Sequence, residues 1–198
     1  VNAYGPQSGT SMAAPAVSGG LALLYQRYRQ LNANANPKNG LMKTLLCNGA
    51  SDIGNAGPDF SYGFGWMNLL RSVKMLENTN YFNNSVNSLA TNTHNITIPA
   101  ASNIAALKVM LYWNDSAAAP LSNPALINDL DLQVTDPSAV VHSPQLLSTV
   151  PANANVPATT GADHVNNIEQ VVINNPGTGT YTFSVTGTTI PFAGQHEY

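Results

Sequence analysis

The chain holds a single cysteine, Cys47, so no disulfide can close within it, and its stability has to come from packing and from any bound ion. Charge is scarce too. Charged residues make up 9% of the 198, against roughly a quarter of an average globular protein. Asn, Ser, Thr and Gln supply the polar surface instead, which suits a secreted protein with uncharged, loop-rich faces. The seven Lys and Arg do not cluster, which excludes the basic footprint of a nucleic-acid binder. No stretch approaches the ~18 consecutive apolar residues of a membrane span, so no spanning helix is expected.

What charge there is lies unevenly. Residues 1–80 carry six Lys/Arg against three acids, a net +3, and residues 81–198 carry one lysine against seven acids, a net −6. The hydrophobic pattern changes at the same place. Before residue 80 it follows the helical period, with Val17, Leu21, Leu24, Tyr28 and Leu31 on one face. Helices are predicted over 11–30, 37–47 and 67–77, the last with Leu69, Leu70, Val73 and Leu76 inward. From Tyr81 the period is two, in short runs separated by Asn, Gly and Pro. Leu107, Val109, Leu111 and Trp113 alternate with Lys108, Met110 and Tyr112, and Tyr181, Phe183 and Val185 alternate with Thr182, Ser184 and Thr186. Further strands are expected at 93–98, 128–135 and 168–174. The chain therefore reads as two pieces, 1–80 and 81–198.

The chemistry concentrates in Gly9-Thr10-Ser11-Met12-Ala13-Ala14-Pro15. A serine at the mouth of a helix faces unpaired backbone N–H groups and a partial positive charge, so an oxyanion developing beside Ser11 meets a donor already aimed at it. Gly9 before it admits a substrate chain closely, and Thr10 and Met12 flank the hydroxyl. Pro15 falls just past the first turn, where it removes only a bond to the Ser11 carbonyl. Ala13, Ala14, Gly19 and Gly20 are small enough to let other backbone pack on a buried, central helix. This stretch resembles the signature around the catalytic serine of the subtilisin-like serine proteases. Tyr62-Gly63-Phe64-Gly65-Trp66-Met67-Asn68 resembles that family's glycine-rich turn before its final helix.

The resemblance implies an α/β fold for residues 1–80, the C-terminal portion of a parallel-sheet domain, with Ser11 as nucleophile and its backbone N–H as one oxyanion donor. It also implies an aspartate and a histidine earlier in the chain than the serine. Here His94, His142, His164 and His196 and all the aspartates follow Ser11, so none is carried over as a triad member. The chain is read as the C-terminal piece of a longer secreted endopeptidase, acting on polypeptides once joined to an upstream portion that carries Asp and His. The chemistry requires no cofactor.

The series Leu111-Tyr112-Trp113-Asn114-Asp115, Ile127 to Leu132, Asn166 to Glu169 and Pro176 to Tyr181 resembles the jelly-roll domain that follows the catalytic domain in some bacterial subtilases, a relative of the proprotein convertase P domain. It implies an all-β sandwich for residues 81–198. Asp129 and Asp131, two apart on a strand, share a face and repel unless something positive joins them. Calcium is the natural candidate, with Asp115, Asn128 and Asp163 as further oxygen donors.

Two other readings stand beside the protease. A helix N-cap is the commonest fate of a Thr-Ser pair, and a fold that has lost its histidine or aspartate would keep Ser11 as scaffold. An α/β-hydrolase-type esterase would instead find its acid and base downstream, in Asp129 or Asp131 and His164. Against it, Ala13 stands where that elbow has its second glycine, and residues 1–8 hold no apolar strand.

Overall fold

A computed structural model describes residues 5–100, 102–192 and 194–198. Three helices come first: α1 (Thr10–Leu31), α2 (Asn39–Gly49) and α3 (Leu69–Glu77). They share a small core of Leu24, Leu41, Met42, Leu45 and Leu76, with Leu21, Tyr28, Leu69 and Val73 packed against it. Two glycines set how closely the helices approach. A Cβ on Gly20 would stand 2.9 Å from Leu69 Cδ2 and Met67 Sδ, and one on Gly49 would stand 2.5 Å from Ser72 Oγ. Ser72, fully buried, donates to the Leu45 carbonyl at 2.8 Å and so ties α3 to α2.

Only the second half of α1 is covered. Residues 10–19 are exposed throughout, Met12 and Val17 included, and α3 meets the helix from Gly20 onward. The expected buried, central helix is therefore buried only where α2 and α3 reach it. On α3, Leu70 likewise points outward while Leu76 is inside. No parallel strand pair lies among the described residues of 1–80, where two isolated antiparallel bridges, Ser51 to Trp66 and Asp59 to Gly63, brace the turn before α3.

From Ser85 the chain is strands: β1 (Ser85–Asn87), β2 (Thr91–Ile98), β3 (Ala106–Tyr112), β4 (Asp129–Thr135), β5 (Val141–His142), β6 (Gln145–Leu146), β7 (Thr159–Thr160), β8 (Ile168–Asn174), β9 (Gly179–Thr189) and β10 (Gln195–Glu197). A four-stranded antiparallel sheet runs β2-β9-β4-β5, while β3 pairs β8, β1 pairs β10 and β6 pairs β7. Val86, Leu111, Trp113, Leu130, Leu132, Val134, Val171, Tyr181, Phe183 and Val185 form one core drawn from these separate sheets. The alternation along β4 and β9 follows the pleat, apolar inward and polar outward. Among the described residues the sheets do not close into a single roll.

The helices rest on β3 and β8. Asn48 donates to the Lys108 carbonyl at 3.2 Å and accepts from Gln170 at 3.0 Å, Lys108 Nζ reaches the Ala50 carbonyl at 3.2 Å, and Lys43 lies 4.3 Å over the Tyr112 ring. Both faces of β3 are thus in contact, one with the strand core and one with α2.

Candidate active site

Ser11 is the second residue of α1. The cap is Gly9, at φ 147°, a conformation that an L side chain rarely adopts, and its carbonyl accepts from Met12 N at 3.0 Å and Ala13 N at 3.2 Å. No side chain caps the helix. Glycine thus takes the capping place in which a serine would be held by the backbone. Neither the Ser11 hydroxyl nor its N–H makes a hydrogen bond with any described residue, and the residue is exposed. The helix runs through Pro15 to Leu31, leaving the Ser11 carbonyl without its i+4 donor. An exposed hydroxyl, an unspent N–H and a positive helix end stand together, which suits a developing oxyanion.

The turn before α3 is held by one aspartate. Asp59, buried, accepts from Tyr62 N at 2.6 Å, Ser61 N at 2.8 Å and Asn55 N at 3.0 Å, and the Tyr62 bond leads in holding its carboxyl below the ordinary range. Gly65, at φ 105°, lies where a Cβ would strike the Ser51 backbone. Asn68 then caps α3 by accepting from Arg71 N at 3.2 Å. The outcome is a rigid turn that presents Phe60, Tyr62 and Trp66 to the outside.

All four histidines have partners within the strand portion. His94 meets Tyr198 Oη at 2.9 Å, His142 meets Asp136 at 3.1 Å, His164 Nδ1 meets Asp129 Oδ2 at 2.8 Å, and His196 meets the Asn114 carbonyl at 2.9 Å. The histidine–aspartate pair that a self-contained hydrolase would need does form at His164, but Ser11 bonds to neither member.

The predicted oxygen donors separate into two kinds. Asp115 organises a loop, accepting from Ile127 N, Asn128 N and Ser116 N, and Asp163 likewise accepts from Val165 N and Asn166. Asp129 and Asp131 face the same side of β4, and one oxygen from each and a nitrogen of His164 lie within 4.8 Å of one another. Glu169 is buried nearby and accepts from Leu132 N at 2.7 Å, but it is not among the side chains whose ligand atoms gather there.

Residues 1–65 match the Subtilase family. That stretch runs from before Ser11 into the turn held by Asp59. Over 212 aligned positions the chain is 26% identical to the serine protease/ABC transporter B family protein tagA of Dictyostelium discoideum, covering 94% of this chain and 12% of the relative. Over 70 positions it is 41% identical to the extracellular serine protease of Serratia marcescens, covering 35% of this chain and 6% of the relative. The chain thus spans a small part of the length of these relatives. The likenesses support a subtilisin-like serine protease at the level of the family. No helix among the described residues is long and apolar enough to cross a membrane.

Proposed function

We propose that this chain is the C-terminal portion of a secreted subtilisin-like serine endopeptidase, with Ser11 as its nucleophile. The observation that carries the reading is the Gly9–Pro15 stretch, inside the subtilase match, set on the first turn of a helix with the Ser11 hydroxyl and N–H both unspent. Ser11 attacks the scissile carbonyl as its proton passes to a histidine oriented by an aspartate, the Ser11 N–H donates to the oxyanion, and water then releases the acyl group. The histidine and aspartate belong to an upstream portion of the protein. Gly9, Thr10 and Met12 lie against the substrate. The outward Met12, Val17, Leu23, Trp66 and Leu70 are the surface that the upstream portion covers. Residues 81–198 act as a P-domain-like β-sandwich that supports the catalytic part, a reading favoured by the extent of the tagA alignment past residue 80.

The test is fluorophosphonate labelling. The 198-residue chain alone should label no faster than Ser11→Ala, because an unassisted serine hydroxyl is a poor nucleophile at neutral pH. Co-expressed with an upstream portion carrying the aspartate and histidine, it should label at Ser11 and cleave peptides. Rapid labelling of the isolated chain would favour a self-contained hydrolase using Asp129 or Asp131 with His164. No labelling even with the native upstream portion would mark an inactive scaffold.

A further inference from the structure

The link between β3 and β4 is a loop fastened at its neck and free at its tip. Asp115 closes the neck, its Oδ2 accepting from Ile127 N at 2.7 Å and its Oδ1 from Asn128 N at 2.9 Å. Just outside, the Trp113 ring donates to the Asn128 carbonyl at 2.8 Å and the Trp113 N–H to the Asn167 carbonyl at 3.3 Å. Past the neck the bonds almost stop. Within residues 117–126 the described hydrogen bonds come down to one, from Ser122 N to the Ala119 carbonyl at 3.1 Å. Residues 119–125 are exposed without a break, and no charged residue stands between Asp115 and Asp129.

At the tip stands Leu121, 102% exposed and with φ at 65°. That left-handed backbone is one that a residue with a side chain adopts at a cost, and drawing the segment out straight relieves it. A serine protease takes its substrate as an extended segment with a free backbone, so a loop is cut where few of its own bonds have to open first. Two other exposed stretches fail that condition. Leu89 is 85% exposed and also left-handed, but its N–H is held by the Gly187 carbonyl at 2.7 Å and the Ala90 N–H by the Asn87 carbonyl at 3.1 Å. Between Val150 and Val156 a 3-10 helix, Pro151–Asn153, bonds the loop to itself, and the Asn155 carbonyl accepts from Asn55 of the helical portion at 3.1 Å. Leu121 combines full exposure with a slack backbone.

We propose that the Leu121–Ser122 peptide bond is a processing site, cut in trans by a subtilisin-like serine protease that takes the Leu121 side chain into its specificity pocket. The serine oxygen of the attacking enzyme bonds to the Leu121 carbonyl carbon, the C–N bond breaks, and the Ser122 nitrogen leaves as an amine with the proton that the serine lost. Water then releases Leu121 as a carboxylate, so one bond is hydrolysed by one water. Under the proposed function a second copy of the assembled enzyme supplies this activity, but the site does not depend on Ser11 of the chain that is cut. The products, residues 1–121 and 122–198, stay together. Across the cut β2 remains laddered to β9 and β3 to β8, and Asp115 of the first piece keeps its bonds to Ile127 and Asn128 of the second.

The test uses the full chain as Ser11→Ala, so that no activity of its own enters, and a purified subtilisin-like protease in trace amount as the probe. Intact mass should show 1–121 and 122–198 as the first pair of products, and the two should elute as one particle in gel filtration. Leu121→Gly keeps the left-handed backbone and should melt with the parent. It should nevertheless be cut at this bond at least about tenfold more slowly, because the specificity pocket loses its side chain. That outcome separates recognition of Leu121 from mere looseness of the loop. A first cut elsewhere, equal rates for Leu121→Gly and the parent, or no cut in the time that consumes the same chain unfolded beforehand would each overturn the site. Pieces that part in gel filtration would overturn the joined product.

Discussion

The two portions of the molecule bury their apolar side chains on different plans. Among the strands, Trp113, Leu130, Val134 and Tyr181 are almost wholly enclosed by residues of the same portion. Large apolar residues are exposed there too, but Leu89, Leu121, Val150, Val156, Val165 and Phe192 are spread over the turns and loops between strands and not gathered on adjoining elements. Among the helices, Leu24 is fully buried while its neighbour Leu23 is 58% exposed, and Met12, Val17, Phe60, Tyr62, Trp66 and Leu70 all face outward. Singly exposed apolar residues are ordinary, but several on adjoining elements mark a surface meant to be covered. The strand portion completes its own core. The helical portion completes half of one, and under the proposed function its outer face waits for the upstream part of the same enzyme.

The largest expected difference lies between two aromatic residues. Tyr181→Ala opens a cavity in the strand core and loses the hydroxyl bond to the Gly177 carbonyl at 3.0 Å, so it should cost about 3–5 kcal/mol in urea unfolding. Trp66→Ala, at 71% exposure, should stay within about 0.5 kcal/mol in the isolated chain. Repeating the pair with the upstream portion present sharpens the contrast, because Trp66→Ala should then become clearly destabilising. If Trp66→Ala is already as costly as Tyr181→Ala in the isolated chain, the helical portion has no uncovered face.

Glycines make the same comparison within the helices. Gly49→Ala forces a methyl against Ser72 and should cost about 1–3 kcal/mol by overpacking. Gly19 has nothing within 4 Å of the Cβ position. Gly19→Ala should therefore stabilise the isolated chain by about 0.5–1 kcal/mol through helix propensity. In the full enzyme the sign should reverse if other backbone packs there. A stabilising Gly19→Ala in both contexts would leave that part of α1 uncovered in the assembled protein too.

Much of this was legible beforehand because the patterns are local. The helices appear at 10–31, 39–49 and 69–77 against predictions of 11–30, 37–47 and 67–77, and the strand over 168–174 falls where alternation placed it. What could not be read was which face of each element found a neighbour. Val17 and Leu70 have the spacing of core residues, yet no described residue covers them. Lys108 and Tyr112 have the spacing of an outer face, yet α2 lies on it. Glu169 did leave a signal, since on β8 it is in phase with Val171 and Ile173, an acid where the pleat calls for an inward apolar residue. That one of its buried oxygens lacks a partner comes from the fold and has no trace in spacing.

Oxidation offers a milder version of the comparison. Met12, beside Ser11, is 48% exposed, and Met42, in the helical core, is 5% exposed. Dilute peroxide should convert Met12 to the sulfoxide several times faster than Met42, as peptide mass mapping would show. Under the proposed function that sulfoxide places a bulkier polar group beside Ser11, so the activity of the assembled protein should fall and Met12→Ala should resist. Equal decay of parent and Met12→Ala would separate Met12 from the site.

The smallest effect is expected at the edge of the strand core, where His94 stacks on Phe82 with ring centroids 4.3 Å apart and meets Tyr198 Oη at 2.9 Å. Burial there disfavours the imidazolium and holds His94 below its ordinary value. A histidine lowered in this way is protonated first in the unfolded chain, so below about pH 6.5 the unfolded state binds more protons and stability rises with pH. The contribution is fully present above the unfolded value and is lost as pH falls through it toward the folded value. Urea midpoints measured between about pH 7.5 and about pH 5 should therefore drop more for the parent chain than for His94→Phe, which keeps the stack on Phe82 and removes the titrating group. Parallel slopes for the two would mean that His94 is as easily charged in the folded chain as in the unfolded one, and that the strand core is open to water at Phe82.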